Sequence, residues 1–318
     1  MAVVVLAVKI LVLIVLVLLS AAYVLLAERR LLGRFQMRIG PNRCGPFGLI
    51  QPLADAAKLM GKEFLVPDGA DRVLFRMAPV LAMVSAFGVY AFIPLGPGLM
   101  ISDVNTALLM VMAVSSMGVY AIVLGGTSSN NSFAAIGALR SASQMISYEV
   151  SLVLGAMGAV TAASSLSLRE IVDYQSELPL VVREPATILS MLVFFIAAMA
   201  ETNRTPFDLP EAESELVGGY HTEYTGMGFG LFFLGEYTNV ITVCLLTSLL
   251  FLGGWHGPGP DGIWWLLAKA IPLIFVFIWA RATMLRFRQN LLMSFGWKFL
   301  LPLSALALVL EGAWKVLR

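Results

Sequence analysis

Long apolar runs separated by short polar connections set the pattern of the chain. They fall at Val3 to Ala27, Leu74 to Leu95, Asn105 to Gly125, Met145 to Ala163, Ala186 to Ala200, Phe229 to Gly253, Ile263 to Thr283 and Trp297 to Leu317. At about 1.5 Å per helical residue, such runs suit a hydrocarbon core about 30 Å thick, with Ala186 to Ala200 the short one. The pattern predicts an all-α polytopic membrane protein with eight transmembrane helices, forming one domain over residues 1–318. The first run has neither a basic segment before it nor a small-residue cleavage site after it, and so reads as a membrane helix, not a removed leader. Lys9 near its start can snorkel to the interface.

Two connections are longer than topology requires. The first, residues 28–72, begins with basic residues and passes through Gly40 to Gly48, GPNRCGPFG, a stretch dense in residues that fix or free the backbone. Beyond it Leu49, Ile50, Leu53, Ala57 and Met60 recur at helical spacing, while Gln51, Asp55, Lys58 and Lys62 fall on the other face. That periodicity predicts an amphipathic helix lying in the membrane interface, or a surface helix packed on a partner.

The second, residues 201–228, carries Glu201, Asp208, Glu211, Glu213, Glu215 and Glu223 against one arginine, Arg204. Asp208 with Glu211 three residues on, Pro210 in the first turn and Gly218-Gly219 as a stop predict a short helix from about Leu209 to Val217. Glu211 and Glu215 would then lie one turn apart and repel, which raises the affinity of at least one for a proton. A solvated acidic loop docking a basic partner is the alternative. The interleaved Phe207, Leu209, Leu216, Val217, Tyr220 and Tyr224 favour a folded, partly buried segment.

Two carboxylates interrupt the apolar runs themselves, Glu149 in the fourth and Glu236 in the sixth. A charge in mid-membrane costs about 2.5 kcal/mol or more, so such residues mark protonatable functional sites. The short fifth run ends directly at Glu201, and interrupted or short segments often line an ion path. Glu149, Glu201 and Glu236 are thus expected to converge with the acidic connection on one polar passage.

Composition agrees with the pattern: 59% of the 318 residues are hydrophobic, 13% are charged, and the mean hydropathy is +0.86. A net charge of +1 without long basic runs argues against a nucleic-acid partner. Cys44 and Cys244 are about 200 residues apart, and His221 and His256 both fall in connections, so neither a disulfide, a thiolate cluster nor a bis-histidine haem is predicted. No phosphate-binding glycine loop, dinucleotide fingerprint or nucleophile elbow occurs, which leaves the chain without a sequence-legible electron carrier or nucleotide site. Odd-numbered connections hold fifteen lysines and arginines, and even-numbered connections with the carboxyl terminus hold four. The positive-inside rule therefore places the acidic segment in the cytoplasm and both termini outside.

Three stretches carry a family resemblance: ERRLLGRFQMRIGPNRCGPFGLIQPLADAAKLMGKE (Glu28 to Glu63), GALRSASQMISYEV with the preceding SNN (Ser129 to Val150), and AETNRTPFDLPEAESELVGGYHTEYTGM continued by GEYTN (Ala200 to Asn239). Together they resemble the membrane subunit of respiratory complex I that lies beneath the peripheral arm and forms most of the quinone channel. The resemblance implies a subunit of a proton-translocating NADH:quinone oxidoreductase, with quinone as substrate and with flavin mononucleotide and iron–sulfur clusters carried by partner subunits. It assigns the quinone channel to Arg29, Gln36, Arg38, Asp55, Phe229, Phe233 and Arg281. It assigns a proton relay to Glu149, Glu201, Asp208, Glu211, Glu213, Glu215, Glu223 and Glu236, with Arg204 as counter-charge, and no metal. The implied partners are the peripheral-arm subunits at the cytoplasmic connections, neighbouring membrane-arm subunits and lipid. The implied location is a bacterial inner membrane in preference to a mitochondrial one.

One segment departs from the family pattern. After Arg286-Phe287-Arg288 the family usually carries Tyr-Asp-Gln, preceded by a proline; here Leu285 precedes and Gln289, Asn290 and Leu291 follow. Asn290 can hydrogen-bond but cannot neutralise an arginine. A related subunit of a membrane-bound hydrogenase or of another donor-driven dehydrogenase and a stand-alone ion transporter are the rival readings; the interfacial helix opposes the first, and the basic first loop with the acidic segment on the same face opposes the second.

Overall fold

The structure, a computed structural model, describes residues 2–209 and 218–317. It comprises α1 (Ala2–Phe35), α2 (Gln51–Gly61), α3 (Arg72–Gly88), α4 (Ala107–Ser128), α5 (Ser132–Ala163), α6 (Leu168–Tyr174), α7 (Leu180–Arg183), α8 (Thr187–Glu201), α9 (Gly226–Phe251), α10 (Ile263–Thr283) and α11 (Gln289–Leu317). No strand occurs among the described residues. Seven of these helices are long and apolar enough to cross a membrane, and the eighth expected span is the 15-residue α8.

Three helices outrun their apolar runs. α1 continues past Ala27 to Phe35, α5 starts at Ser132 ahead of Met145, and α11 starts at Gln289 ahead of Trp297, with one π-helical segment at Gly296–Leu300. Hydropathy marks the part of a helix that dissolves in hydrocarbon, whereas its ends are set by capping. At α5 the Asn131 side chain accepts from the Phe133 amide at 2.9 Å, and at α3 Asp71 accepts from the amides of Val73 and Leu74. Arg140, expected in a connection, consequently lies within α5.

α9 is the centre of the bundle, with 61% of its apolar window buried against 11% for α1. α9 packs on α1, α2, α3, α8 and α10, while α5 packs on α4, α8 and α11. The α5–α8 approach depends on small residues: a Cβ on Gly155 would stand 2.9 Å from the Phe194 amide nitrogen, too close for any side chain. The outer faces of α1, α10 and α11 expose Val, Leu, Phe and Trp side chains, a surface suited to lipid or to apolar neighbours.

The connections segregate to two ends. At one, Asp71 donates its amide to Ser128 O at 3.0 Å, the Leu65 amide reaches Thr225 Oγ1, Asn131 donates to Glu223 at 2.6 Å and the Phe287 amide reaches Pro206 O. At the other, the Leu108 amide reaches Leu166 O, Arg169 pairs with Asp103 at 3.0 Å, and the Gly253 amide reaches Gln175 Oε1. The odd-numbered connections thus share the first end.

Candidate functional site

An apolar cavity of about 360 Å³ lies between α1, α2 and α9. The alternation on α2 produces it: Pro52 in the first turn starts the helix, Leu53, Ala56, Leu59 and Met60 turn toward α1 and α9, and Lys58 and Lys62 turn away. Leu18, Ala22 and Leu25 of α1 and Gly230, Leu234 and Phe233 of α9 complete the wall. Gly230 widens the cavity, since a Cβ there would stand 3.2 Å from Leu59.

The polar groups of this cavity are few. Asp55 lines it and is held by Arg29 at 2.6 Å and Gln51 at 2.9 Å. Phe233 and Tyr237 close its inner end, one helical turn apart, with Phe229 stacked on Phe233 at 5.6 Å between ring centroids. Gln36 and Arg38 do not line it; they bond to each other at 2.7 Å on the exposed turn after α1. Arg281 of α10 also lies outside it and pairs with the buried Glu28 of α1.

Glu28 ties these groups together. It is 5% exposed, accepts from the Tyr237 hydroxyl at 2.5 Å and is bonded by Arg281, so its charge is matched inside the bundle. Arg204, 7% exposed, lies over the Tyr237 ring at 4.3 Å from the centroid and pairs with Glu236 at 3.0 Å. Glu236 accepts from Tyr220 Oη at 2.6 Å. Glu236, Glu201, Asn203 and Tyr220 then share one small cavity between α3, α4, α5 and α9. The aromatic end of the apolar cavity and two carboxylates of the acidic group are therefore joined by Tyr237 and Arg204.

The remaining relay candidates are dispersed. Glu149 lines a separate groove between α4 and α5, outside the cavity that holds Glu201. Glu223 holds the start of α5 through Asn131. Asp208, 7% exposed, pairs with Arg286 at 2.8 Å, and Phe287 stacks on Phe207 beside it. Glu211, Glu213 and Glu215, with the helix expected from Leu209 to Val217, lie outside the described residues beyond Leu209. Gln144 fixes the end of α8 by donating to Ala200 O and Phe207 O, each at 2.7 Å, and Asn203 donates to Ser141 at 3.0 Å.

Sequence reasoning missed Glu28 and Tyr237, although both carry a periodic signal. Glu28 continues the stripe Val17, Ala21, Val24 on α1, and Tyr237 continues Phe229, Phe233 at four-residue spacing on α9. Ending the first span at Ala27 removed Glu28 from the helix on which that stripe is visible. Cys44 and Cys244 are free thiols, and no group of three or more His, Cys, Asp or Glu able to hold a metal occurs among the described residues.

Comparison with known proteins identifies the family of the chain. The family profile described as NADH dehydrogenase matches residues 8–312. The H subunit of NADH-quinone oxidoreductase from Syntrophotalea carbinolica is 48% identical over 311 residues, covering 95% of this chain and 93% of the relative. Its counterpart in Rhodospirillum centenum is 48% identical over 96% of this chain and 92% of its own length, and that of Rickettsia typhi 45% identical over 97% and 93%. With matches of that depth running through α1 to α11, the chain belongs to the H-subunit family of NADH-quinone oxidoreductases, as a membrane component of that enzyme complex.

Proposed function

We propose that this protein admits quinone through the cavity between α1, α2 and α9 and passes the charge change of its reduction into the acidic passage. The observation that carries this reading is the junction at Tyr237. Its ring closes an apolar cavity suited to an isoprenoid-like substrate, its hydroxyl bonds Glu28, and its face supports Arg204, which holds Glu236.

Reduction of a quinone to a quinol takes up two electrons and two protons. The electrons come from partner subunits that carry flavin mononucleotide and iron–sulfur clusters. This chain positions the substrate with Phe229 and Phe233, offers Arg29 with Asp55 at the mouth, and places Glu28, Arg281 and Arg204 around the inner end. Gln36 and Arg38 belong to the rim, where the substrate head meets the peripheral arm. Two unit charges about 4 Å apart interact by about 4 kcal/mol at an effective dielectric of about 20, so one charge change at the inner end is felt along the Arg204–Glu236 pair. Glu201 and Glu149 are the next relay groups in this reading; Asp208 and Glu223 are further candidates, as are Glu211, Glu213 and Glu215, which lie outside the described residues.

The end that gathers the odd connections faces the cytoplasm of a bacterium, docks the peripheral arm through Arg34, Arg38 and Arg43, and leaves both termini outside the inner membrane. Neighbouring membrane-arm subunits and lipid cover the exposed apolar faces.

The test is NADH-driven quinone reduction by the gently purified complex, with and without a quinone-site inhibitor. Filling the cavity by Leu234→Trp should raise the KM for a long-tailed quinone about tenfold, or about 1.4 kcal/mol, while leaving a short-tailed analogue nearly unaffected. Equal kinetics for both quinones in the variant would remove the cavity from the substrate path. Glu201→Gln should leave quinone reduction in place and lower the protons moved per electron pair, and unaltered pumping would remove Glu201 from the relay.

A further inference from the structure

The end of the bundle that gathers the even connections holds a histidine between two carboxylates. His256, in the α9–α10 connection, is 13% exposed at its side chain. Its Nδ1 stands 2.9 Å from Asp261 Oδ1 of the same connection, and its Nε2 stands 3.8 Å from Asp173 Oδ1 of α6. An ionised carboxylate only accepts, so the 2.9 Å contact fixes a hydrogen on Nδ1. In the neutral ring Nε2 is then a bare acceptor, buried and reached by no donor. What it faces is a second acceptor, Asp173, beyond hydrogen-bond length.

The backbone around the ring is held without help from the imidazole. Lys269 of α10 donates to Gly254 O at 3.0 Å and to His256 O at 2.6 Å, the His256 amide reaches Gly253 O, and the Gly262 amide reaches Trp255 O. Arg169, one turn before Asp173 on α6, pairs with Asp103 at 3.0 Å and reaches Asp173 at 3.7 Å. Tyr174, next along α6, donates to Glu184 and carries Arg183 over its ring. Glu170 on α6 and Glu177 just after it are exposed and join no ion pair among the described residues. The network that meets the imidazole thus sets three carboxylates, Asp103, Asp173 and Asp261, against two cations, Arg169 and Lys269. A proton on His256 makes the two sides equal and supplies the donor that the Asp173 contact lacks.

We propose that His256 is a proton-operated clasp between α6 and the α9–α10 connection. Taking a proton from solvent at Nε2, the ring becomes a double donor and closes on Asp173 while keeping Asp261; on releasing that proton it keeps Asp261 alone. Histidine ordinarily changes charge between about pH 5 and 8, so the clasp reads the pH of the compartment that this end faces. It bears on α9, because the connection it fastens follows that helix directly and α6 packs on α9. The clasp rests on this geometry alone, independent of the quinone reading.

The experiment is hydrogen–deuterium exchange, read by mass spectrometry, on the purified assembled complex at both ends of that pH range, with rates corrected for the intrinsic pH dependence of amide exchange. Protection of the amides of residues 253–262 should rise about threefold from about pH 8 to about pH 5.5, as a half-exposed ion pair allows. His256→Gln and Asp173→Asn should each abolish the rise, whereas Asp103→Asn, which leaves both partners of the ring in place, should keep it. Equal protection of the parent at the two pH values would overturn the proposal, and so would a rise that survives His256→Gln. A rise lost in His256→Gln but kept in Asp173→Asn would mean that the ring titrates against Asp261 alone and would remove the clasp. Loss of the rise in Asp103→Asn would assign it to the summed charge of this face and overturn the proposal as well. If His256→Gln does not assemble, Asp173→Asn, at a side chain 55% exposed, decides by itself.

Discussion

Tyr237 Oη and Glu28 Oε2 are 2.5 Å apart, although 209 positions separate the two residues in the chain. This bond holds the inner end of the apolar cavity against α1 and α10, because the second Glu28 oxygen is bonded by Arg281. Arg281 therefore depends on this carboxylate, while Arg204, which lines the same small cavity, is held by Glu236 at 3.0 Å. Glu28→Gln leaves Arg281 without its carboxylate, and removing one partner of a buried pair costs about 3–5 kcal/mol. We expect a complex that assembles poorly and has little inhibitor-sensitive activity, measured by yield and turnover after gentle purification. Tyr237→Phe keeps the ring beneath Arg204 and loses one bond to a charged acceptor, about 1.5–3 kcal/mol. Its assembly should be intact and its quinone turnover reduced about tenfold.

Arg204 is held by shape as well as charge. Its guanidinium lies flat enough to reach Glu236 at 3.0 Å while covering the Tyr237 ring, which a lysine ammonium on a flexible stem does not reproduce. Arg204→Lys should preserve the net charge and assembly yet lower proton pumping per electron pair more than it lowers quinone reduction. Equal losses of both, measured in reconstituted vesicles, would assign Arg204 to the substrate side alone.

The Asp208–Arg286 pair clips the α10–α11 connection to the acidic segment, aided by the Phe287 amide on Pro206 O and by the Phe207–Phe287 stack. Asn290 carries no charge and cannot compete for Arg286 as a carboxylate would, so the clip rests on Asp208. Asp208→Ala and Arg286→Ala should each loosen the segment, and the double variant should add little to either. A coupling energy of about 0.5–3 kcal/mol is expected from the cycle, read from protease resistance of the connection in the assembled complex. Strict additivity would show that the two side chains act separately.

Much of the architecture is visible in the sequence because lipid leaves few solutions: apolar runs become helices, and the lysine and arginine counts sort the connections into the two groups that the fold gathers at opposite ends. α2 is legible for the same reason, with its apolar stripe now forming one wall of the cavity. Chemistry at the ends of spans is less legible. Glu28 looks like the first residue of a basic loop until α1 is known to continue to Phe35. Arg38 and Gln36 carry a strong family signal yet sit on an exposed turn, bonded only to each other through their side chains among the described residues.

Tyr224 gives the fold a pH limit that can be calculated in sign. Its ring stacks flat on Phe75 with centroids 4.0 Å apart, and its hydroxyl donates to Phe75 O at 3.1 Å, near the start of α3. Burial pushes its pKa from 10.0 up to about 12. The folded state thus favours the neutral phenol, so this contribution to stability is complete below about pH 10 and is lost as the pH rises through about 12. Tyr224→Phe removes one hydrogen bond, about 1 kcal/mol at neutral pH, and removes the titrating group with it. Thermal unfolding of the purified complex should therefore show the variant less stable at neutral pH but converging on the parent in the alkaline limb. Parallel curves up to about pH 12 would mean that the phenol ionises without leaving its place between Phe75 and Phe232.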